Sequence, residues 1–335
     1  MDNGTVCAEA ALTSSEYVEI PEYVEIKGRQ YPVTEIGENL FSFSTSLVSI
    51  KLPDGVKVIR KNAFADCKQL KSVIMPGSLE VIGVEAFRNC KNLMVITIPV
   101  NVELIGENAF QNCTGLTTVN FNAEGKVMMG TPGQTVFNRC MALGNVVFGE
   151  NITCIPANAF KGCNAITSVT IPDKVESIES NAFANCTGLV SLVIGKSVAV
   201  IGDAAFADCY KLASVKLPEG VKAISTNLFR NCRALESVEL SQYTESIGEG
   251  AFSGCSSLKA VLFPASVTAI GDRAFSGCRG LQNITMQNPS PVVIEKSCFG
   301  SVSKEITVKV PQGSEAGYGQ TPVWCEFKNI RGNQD

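Results

Sequence analysis

From Phe64 the chain runs Ala65, Asp66, Cys67, Lys68, Gln69, Leu70, Lys71, Ser72, Val73, Ile74, Met75, Pro76, Gly77, Ser78, Leu79, Glu80, Val81, Ile82, Gly83, Val84, Glu85, Ala86 and arrives at Phe87, with Cys90 again three residues on. The same unit recurs with a period of 23. Phenylalanine and cysteine three apart occur at Phe64 and Cys67, Phe87 and Cys90, Phe110 and Cys113, Phe137 and Cys140, Phe160 and Cys163, Phe183 and Cys186, Phe206 and Cys209, Phe229 and Cys232, Phe252 and Cys255, and Phe275 and Cys278. A fixed period of this size marks stacked repeats and not one closed core, because a single unit cannot bury its own apolar side chains.

Each column of the repeat has a physical reading. Aliphatic residues at plus nine and plus eleven from the phenylalanine, such as Val73 with Met75 and Val215 with Leu217, are two apart and describe a short strand with one face buried. Proline at plus twelve (Pro53, Pro76, Pro99, Pro172, Pro218, Pro264) ends the strand in a turn. A second aliphatic pair follows, as in Val221 with Ile224. Phe, Cys and Leu at intervals of three predict one helical or 3₁₀ turn, and an asparagine two before the phenylalanine (Asn62, Asn108, Asn158, Asn181, Asn227) suits its N-terminal end. Eleven rungs are anchored at Phe41 through Phe275, and a twelfth, imperfect one begins at Phe299.

The expected architecture is an α/β-type repeat solenoid of about 12 rungs with a parallel sheet on the concave face, short helical turns on the opposite side and a cap at each end. Its expected boundaries are an N-terminal tail at 1–15, capping strands at 16–35 with a Lys27-Gly28 turn, the solenoid at 36–311, and a C-terminal cap at 312–335 around Tyr318, Trp324, Phe327 and Ile330. Between Phe110 and Phe137 the spacing is 27, which places an insertion at 122–134. Its Met128 and Met129 either protrude as a contact site or fold back.

The unit Leu70, Val73, Met75, Pro76, Leu79, Ile82, Gly83, Ala86, Phe87, Cys90 resembles the 23-residue leucine-rich repeat of the BspA-like, or Treponema-type, bacterial surface proteins, over roughly Tyr31 to Pro311. The resemblance implies a leucine-rich repeat solenoid, often secreted or surface-exposed, with protein binding or adhesion in some members and no shared catalysis. It carries no fixed ligand motif. The first residues, Met1 to Glu9, have no basic and apolar signal pattern, which departs from the surface-protein expectation. No run of about 18 apolar residues predicts a membrane span.

Composition narrows function further. The 335 residues include 14 cysteines and no histidine, so Ser-His-Asp and Cys-His nucleophiles and histidine metal sites are excluded. With 28 Lys plus Arg against 32 Asp plus Glu, nothing in the charge balance favours nucleic acid. No Cys-x-x-Cys pair occurs. The cysteine column reads either as a ladder of disulfides or soft-metal ligands, or as small buried thiols filling each turn. Packing is favoured, because equivalent side chains point in parallel and free cysteine is among the most buried residue types. Cys7, Cys154, Cys298 and Cys325 lie off the column, with Cys7 expected to be exposed.

Strand positions at plus eight and plus ten face outward. The plus-ten column is varied, and with the insertion it supplies the candidate partner-binding residues: Lys51, Ile74, Thr97, Thr170, Val193, Lys216, Glu239, Leu262, Met128 and Met129. Variation there is either ligand tuning or drift on a solvated face. A face so poor in charge and aromatics suits a protein partner, whether host, matrix or another bacterial surface protein. The expected function is a non-enzymatic protein-binding or adhesion module at the cell surface or outside the cell, with no cofactor or metal. The alternative is a spacer or assembly scaffold with no ligand of its own.

Overall fold

The computed structural model describes residues 6–8, in backbone only, together with 15–131 and 133–333. The chain is a parallel-sheet β-solenoid of leucine-rich repeat type with about 13 turns, and it divides into two compact units, Met1–Ile166 and Thr167–Asp335. Both are built from the same repeat. Much of the expected tail at 1–15, and the side chain of Cys7, lie outside the described residues.

In the first unit, Tyr17–Glu19, Ser49–Lys51 and Ser72–Ile74 form one parallel sheet, and Val95–Ile98, Thr118–Phe121 and Asn145–Phe148 form another. Ser49 lies opposite Ser72 and Ile50 opposite Val73, so the register equals the sequence period. A second ladder joins Arg29–Ile36, Val58–Ile59, Val81–Ile82, Leu104–Ile105 and Met128–Met129. The N-terminal hairpin is as the pattern predicts: Tyr23–Ile26 runs antiparallel to Arg29–Ile36, and Lys27 and Gly28 both take the positive φ of a two-residue hairpin turn. Tyr17–Glu19 is more than a cover, since it continues the parallel ladder.

In the second unit Ser168–Thr170 pairs with Ser191–Val193, and six strands from Ser214–Lys216 to Asn329–Gly332 make one parallel sheet. The solenoid ends on the short helix Glu315–Gln320 and a 3₁₀ turn at Trp324–Glu326. Tyr318 and Trp324 are fully buried, and each donates to the main chain: Tyr318 Oη to Asn288 O at 2.8 Å and Trp324 Nε1 to Val292 O at 2.7 Å. Trp324 and Phe327 set their rings edge-on against Phe299, which would otherwise expose the last apolar layer. No described helix is long and apolar enough to cross a membrane.

The side opposite the strands is built differently from the expected helical turns. Around Phe64, the backbone amides alternate. Asn62, Phe64 and Asp66 donate to Val84, Ala86 and Arg88 of the next rung, whereas Ala63, Ala65 and Cys67 donate backwards within their own turn. A helix would turn every amide inward. The alternation uses left-handed backbone two residues before and two residues after Phe64, at φ 53° for Asn62 and 62° for Asp66. Asparagine, aspartate and glycine enter that region at least cost, so the asparagine column marks left-handed backbone and not a helix cap. The later column, Asn89, Asn112, Asn185 and Asn231, has the same cause and also stacks its side chains. Asn89 Nδ2 donates to Asp66 Oδ1 at 2.9 Å, Asn112 to Asn89 at 2.6 Å, and Asn231 to Asp208 at 2.8 Å.

The core runs along the stack. Phenylalanine rings lie parallel and offset, with centroids 5.0 Å apart between Phe64 and Phe87 and 5.8 Å between Phe206 and Phe229. The column cysteines are free and buried. Most of their sulfurs bond the carbonyl of the phenylalanine in the preceding rung: Cys90 Sγ donates to Phe64 O at 3.2 Å, Cys113 to Phe87 O at 3.0 Å, and Cys232 to Phe206 O at 3.2 Å. Cys298 stands in the column before the phenylalanine, which is alanine in most rungs. It is buried too, and its carbonyl takes the amide of Phe275 at 2.9 Å.

One glycine column governs how tightly the second ladder closes. Gly83, Gly202 and Gly248 each donate to the preceding rung at 2.7 Å, and a Cβ on any of them would lie within 2.9 Å of that rung's main chain. Ser225 occupies the same column in the second unit, and there Val200–Ile201 and Ala223–Ile224 fall in separate sheets. Its hydroxyl, and not its amide, reaches the Ile201 carbonyl. Pro156 in the first unit has no N–H to give, and Cys154–Ile155 does not join Met128–Met129. Arg60 keeps its bond, 2.9 Å to Ile36.

Candidate protein-binding face

Alternation along each short strand sends the plus-nine and plus-eleven side chains inward and the plus-eight and plus-ten side chains out. The columns therefore place eight of the ten candidates on strand faces. In the first unit Lys51 is exposed and bonded to Glu19 one rung away at 2.7 Å, Ile74 lies directly beside it in register, and Thr97 Oγ1 accepts from Asn120 Nδ2 at 3.1 Å. In the second unit Thr170 is opposite Val193, Lys216 is bonded to Glu239 at 2.6 Å, and Leu262 is opposite Thr285. Ile74, Val193 and Leu262 are 57%, 55% and 48% exposed, high values for aliphatic side chains. The charged candidates are paired, Lys51 with Glu19 and Lys216 with Glu239, whereas the aliphatic ones stand open.

The two methionines part company. Met128–Met129 fills the second ladder where other rungs have an aliphatic pair, with Met129 opposite Ile105. Met129 is drawn inward, 3% exposed, and Met128 stands out at 66%. The insertion is thus spliced into the ladder on one side and closed by a turn in which Thr131 and Gln134 exchange bonds of 3.2 Å. Met128 is not on the same sheet as Lys51, Ile74 or Thr97.

Three apolar residues beside the candidates were missed. Met94 and Val95 are exposed next to Ile74, and Val190 is exposed next to the Ser191–Val193 strand. The signal was present in the plus-seven column, where Met94 and Val190 replace residues such as Lys71, Thr117, Glu236 and Gln282.

The second unit also opens a cleft on this face. Ser191–Val193 and Ser214–Lys216 belong to separate sheets, and between them lies a cavity of about 490 Å³. Leu192, Val193, Ile194 and Leu217 supply its apolar lining. Lys216 stands at its edge, and Lys196 is held to Asp173 at 3.5 Å.

Burial silences most of the column thiols and that of Cys298. Removal from water pushes the Cys67, Cys209, Cys278 and Cys298 thiols up to about 12 and Cys90, Cys113, Cys163, Cys232 and Cys255 well above the ordinary thiol range. A thiol in that state is neither a nucleophile nor a soft-metal ligand at neutral pH. Among the described residues no three His, Cys, Asp or Glu groups converge on a metal position.

A family model described as the BspA type leucine-rich repeat region, in six copies, matches residues 18–129, 131–245 and 222–319. The chain belongs to the BspA-type leucine-rich repeat family. Among solved structures, this BspA-type chain is similar to a leucine-rich repeat protein from Bacteroides ovatus, at 24% identity and a TM-score of 0.62, over 100% of this chain and 97% of that one. It is also similar to a leucine-rich cell surface protein from Faecalibacterium prausnitzii, at 28% identity and a TM-score of 0.49, over 100% and 92% of the two chains. The Bacteroides likeness concerns the fold alone. No curated protein matches.

Proposed function

We propose that this chain is a non-enzymatic protein-binding module of a bacterial surface or secreted protein, and that it engages its partner through the strand face. The cleft between Ser191–Val193 and Ser214–Lys216 carries the reading. It is the place where exposed apolar groups, Val193 above all, border a depression instead of a flat ladder. Burying an aliphatic group of a partner there is favourable at about 25 cal/mol per Å². The neighbouring Lys216–Glu239 and Lys196–Asp173 pairs form a polar rim, the arrangement that protein interfaces use around an apolar centre. Adhesion to host or matrix protein is the form of binding that this face fits, since it offers neither a dense positive field nor an aromatic platform.

The test is capture from host-cell and matrix extracts by the immobilised full chain. Val193→Asp, which puts a charge into the cleft without touching the ladder's hydrogen bonds, should reduce capture of the specific partner at least tenfold. Ile74→Asp, on the other unit, shows whether that patch takes part. Identical captured proteins in wild type and Val193→Asp would rule out the cleft. Cell fractionation with an antibody to the chain tests the surface location.

A further inference from the structure

Cations on the strand ladders are neutralised from a neighbouring rung: Lys51 by Glu19, Lys216 by Glu239, Lys259 by Glu236 and Lys328 by Glu305. The last two strands of the second unit break this rule. In the pairing of Thr307–Val310 with Asn329–Gly332, Lys309 lies directly opposite Arg331, and among the described residues neither has a carboxylate within ion-pair distance. Like charges facing across a ladder are destabilising, so the arrangement costs stability that a ligand would restore. The two cations border a cavity of about 620 Å³, within the usual range of small-molecule sites. Its other walls are hydrogen-bonding side chains, Asn283 and Thr307 from the sheet and Gln312 from the following segment, with one carboxylate, Glu315.

We infer that this cavity binds a small hydroxylated carboxylate, the chemistry of a uronic-acid sugar. Charge fixes the class. Two cations and one carboxylate leave a single net positive charge, which favours a monoanion over a dianion. Arg331 offers a fork of donors that fits a carboxylate, and Lys309 adds a point charge beside it. The amides and hydroxyl of Asn283, Gln312 and Thr307 both donate and accept, as sugar hydroxyls require. No aromatic ring lines the cavity, so binding rests on charge and hydrogen bonds and weakens with salt.

Isothermal titration of the full chain with galacturonate, galactose and inorganic phosphate tests this. Galacturonate should bind at least tenfold more tightly than either of the other two. Arg331→Gln and Lys309→Gln should each weaken it at least tenfold, and Glu315→Gln should relax the discrimination against phosphate. Trigalacturonate binding more tightly than the monomer would assign a polysaccharide as the source, and equal affinity a single sugar. Equal binding of galactose, tighter binding of phosphate, no heat with galacturonate, or an unchanged affinity in Arg331→Gln would each overturn the assignment. The cavity lies apart from the Val193 cleft, so failure here leaves the protein-binding reading untouched, and the reverse holds.

Discussion

Between pH 8 and pH 10, kept reduced, the protein is expected to lose its fold over about one pH unit. The cause is the cysteine column. An unfolded cysteine releases its proton near pH 8.5, whereas burial raises the folded thiols toward 12, as for Cys67, Cys209, Cys278 and Cys298. The sign follows from proton counting. Below the unfolded pKa both states hold the proton and pH has no effect. Above it the unfolded state holds fewer protons than the folded one, so stability falls as pH rises and continues to fall up to the folded value.

The slope is about 1.4 kcal/mol per pH unit for each such thiol. In the second unit Cys209, Cys232, Cys255, Cys278 and Cys298 all have raised values, which gives about 7 kcal/mol per pH unit, against the roughly 5–15 kcal/mol that stabilises an ordinary domain. Geometry supports the direction: Cys232 Sγ donates to Phe206 O at 3.2 Å, and a thiolate would set a buried charge against that carbonyl. Thermal melts followed by circular dichroism from pH 7 to 10 check the expectation. A melting temperature that stays constant to pH 10 would refute it, as would rapid reaction of the column thiols with a disulfide reagent in the native state at pH 7.5. Replacing Cys232 and Cys255 by alanine should flatten the slope even where it lowers stability at neutral pH.

The column logic that makes this calculation possible was legible in the sequence. Phe64 and Cys67, repeated every 23 residues, define a stacked array, and the pairs at plus nine and plus eleven locate the strands because side chains there must alternate. Conformation within a turn was not legible in the same way. Asn62 reads equally well as a helix cap or as a left-handed residue, and the choice is made by the next rung, whose Val84 carbonyl takes the Asn62 amide at 3.1 Å. That partner is 22 residues away, beyond any local signal. The cleft beside Val193 was hidden for a related reason: no column announces that two successive strands will fail to bond. The inward turn of Met129 follows from the second ladder, where an insertion is cheapest if it restores the apolar register opposite Ile105.

Gly106→Ala is expected to destabilise the first unit by about 2–4 kcal/mol, and Gly77→Ala, the same chemical change one rung earlier, to leave stability unchanged or raise it by about 0.4–1 kcal/mol. The two glycines differ in what a methyl group would meet. At Gly106 it would lie 2.5 Å from the Val84 nitrogen and 2.7 Å from the Gly83 carbonyl carbon, whereas at Gly77 no atom lies within 4 Å. Making room at Gly106 moves main chain, not a pliable side chain, and strains the 2.8 Å bond from its amide to Ile82 O along with the pairing of Leu104 with Val81. Ser225 shows one outcome of a side chain in this column, with the ladder interrupted and a hydroxyl substituting for the amide. Arg60 shows another, in which the side chain is accommodated and the amide holds its bond to Ile36 at 2.9 Å. At Gly77 the added methyl only narrows the freedom of the unfolded chain. Urea unfolding of the two variants side by side checks the contrast, and equal midpoints would show that the glycine column is not what sets the spacing of the second ladder.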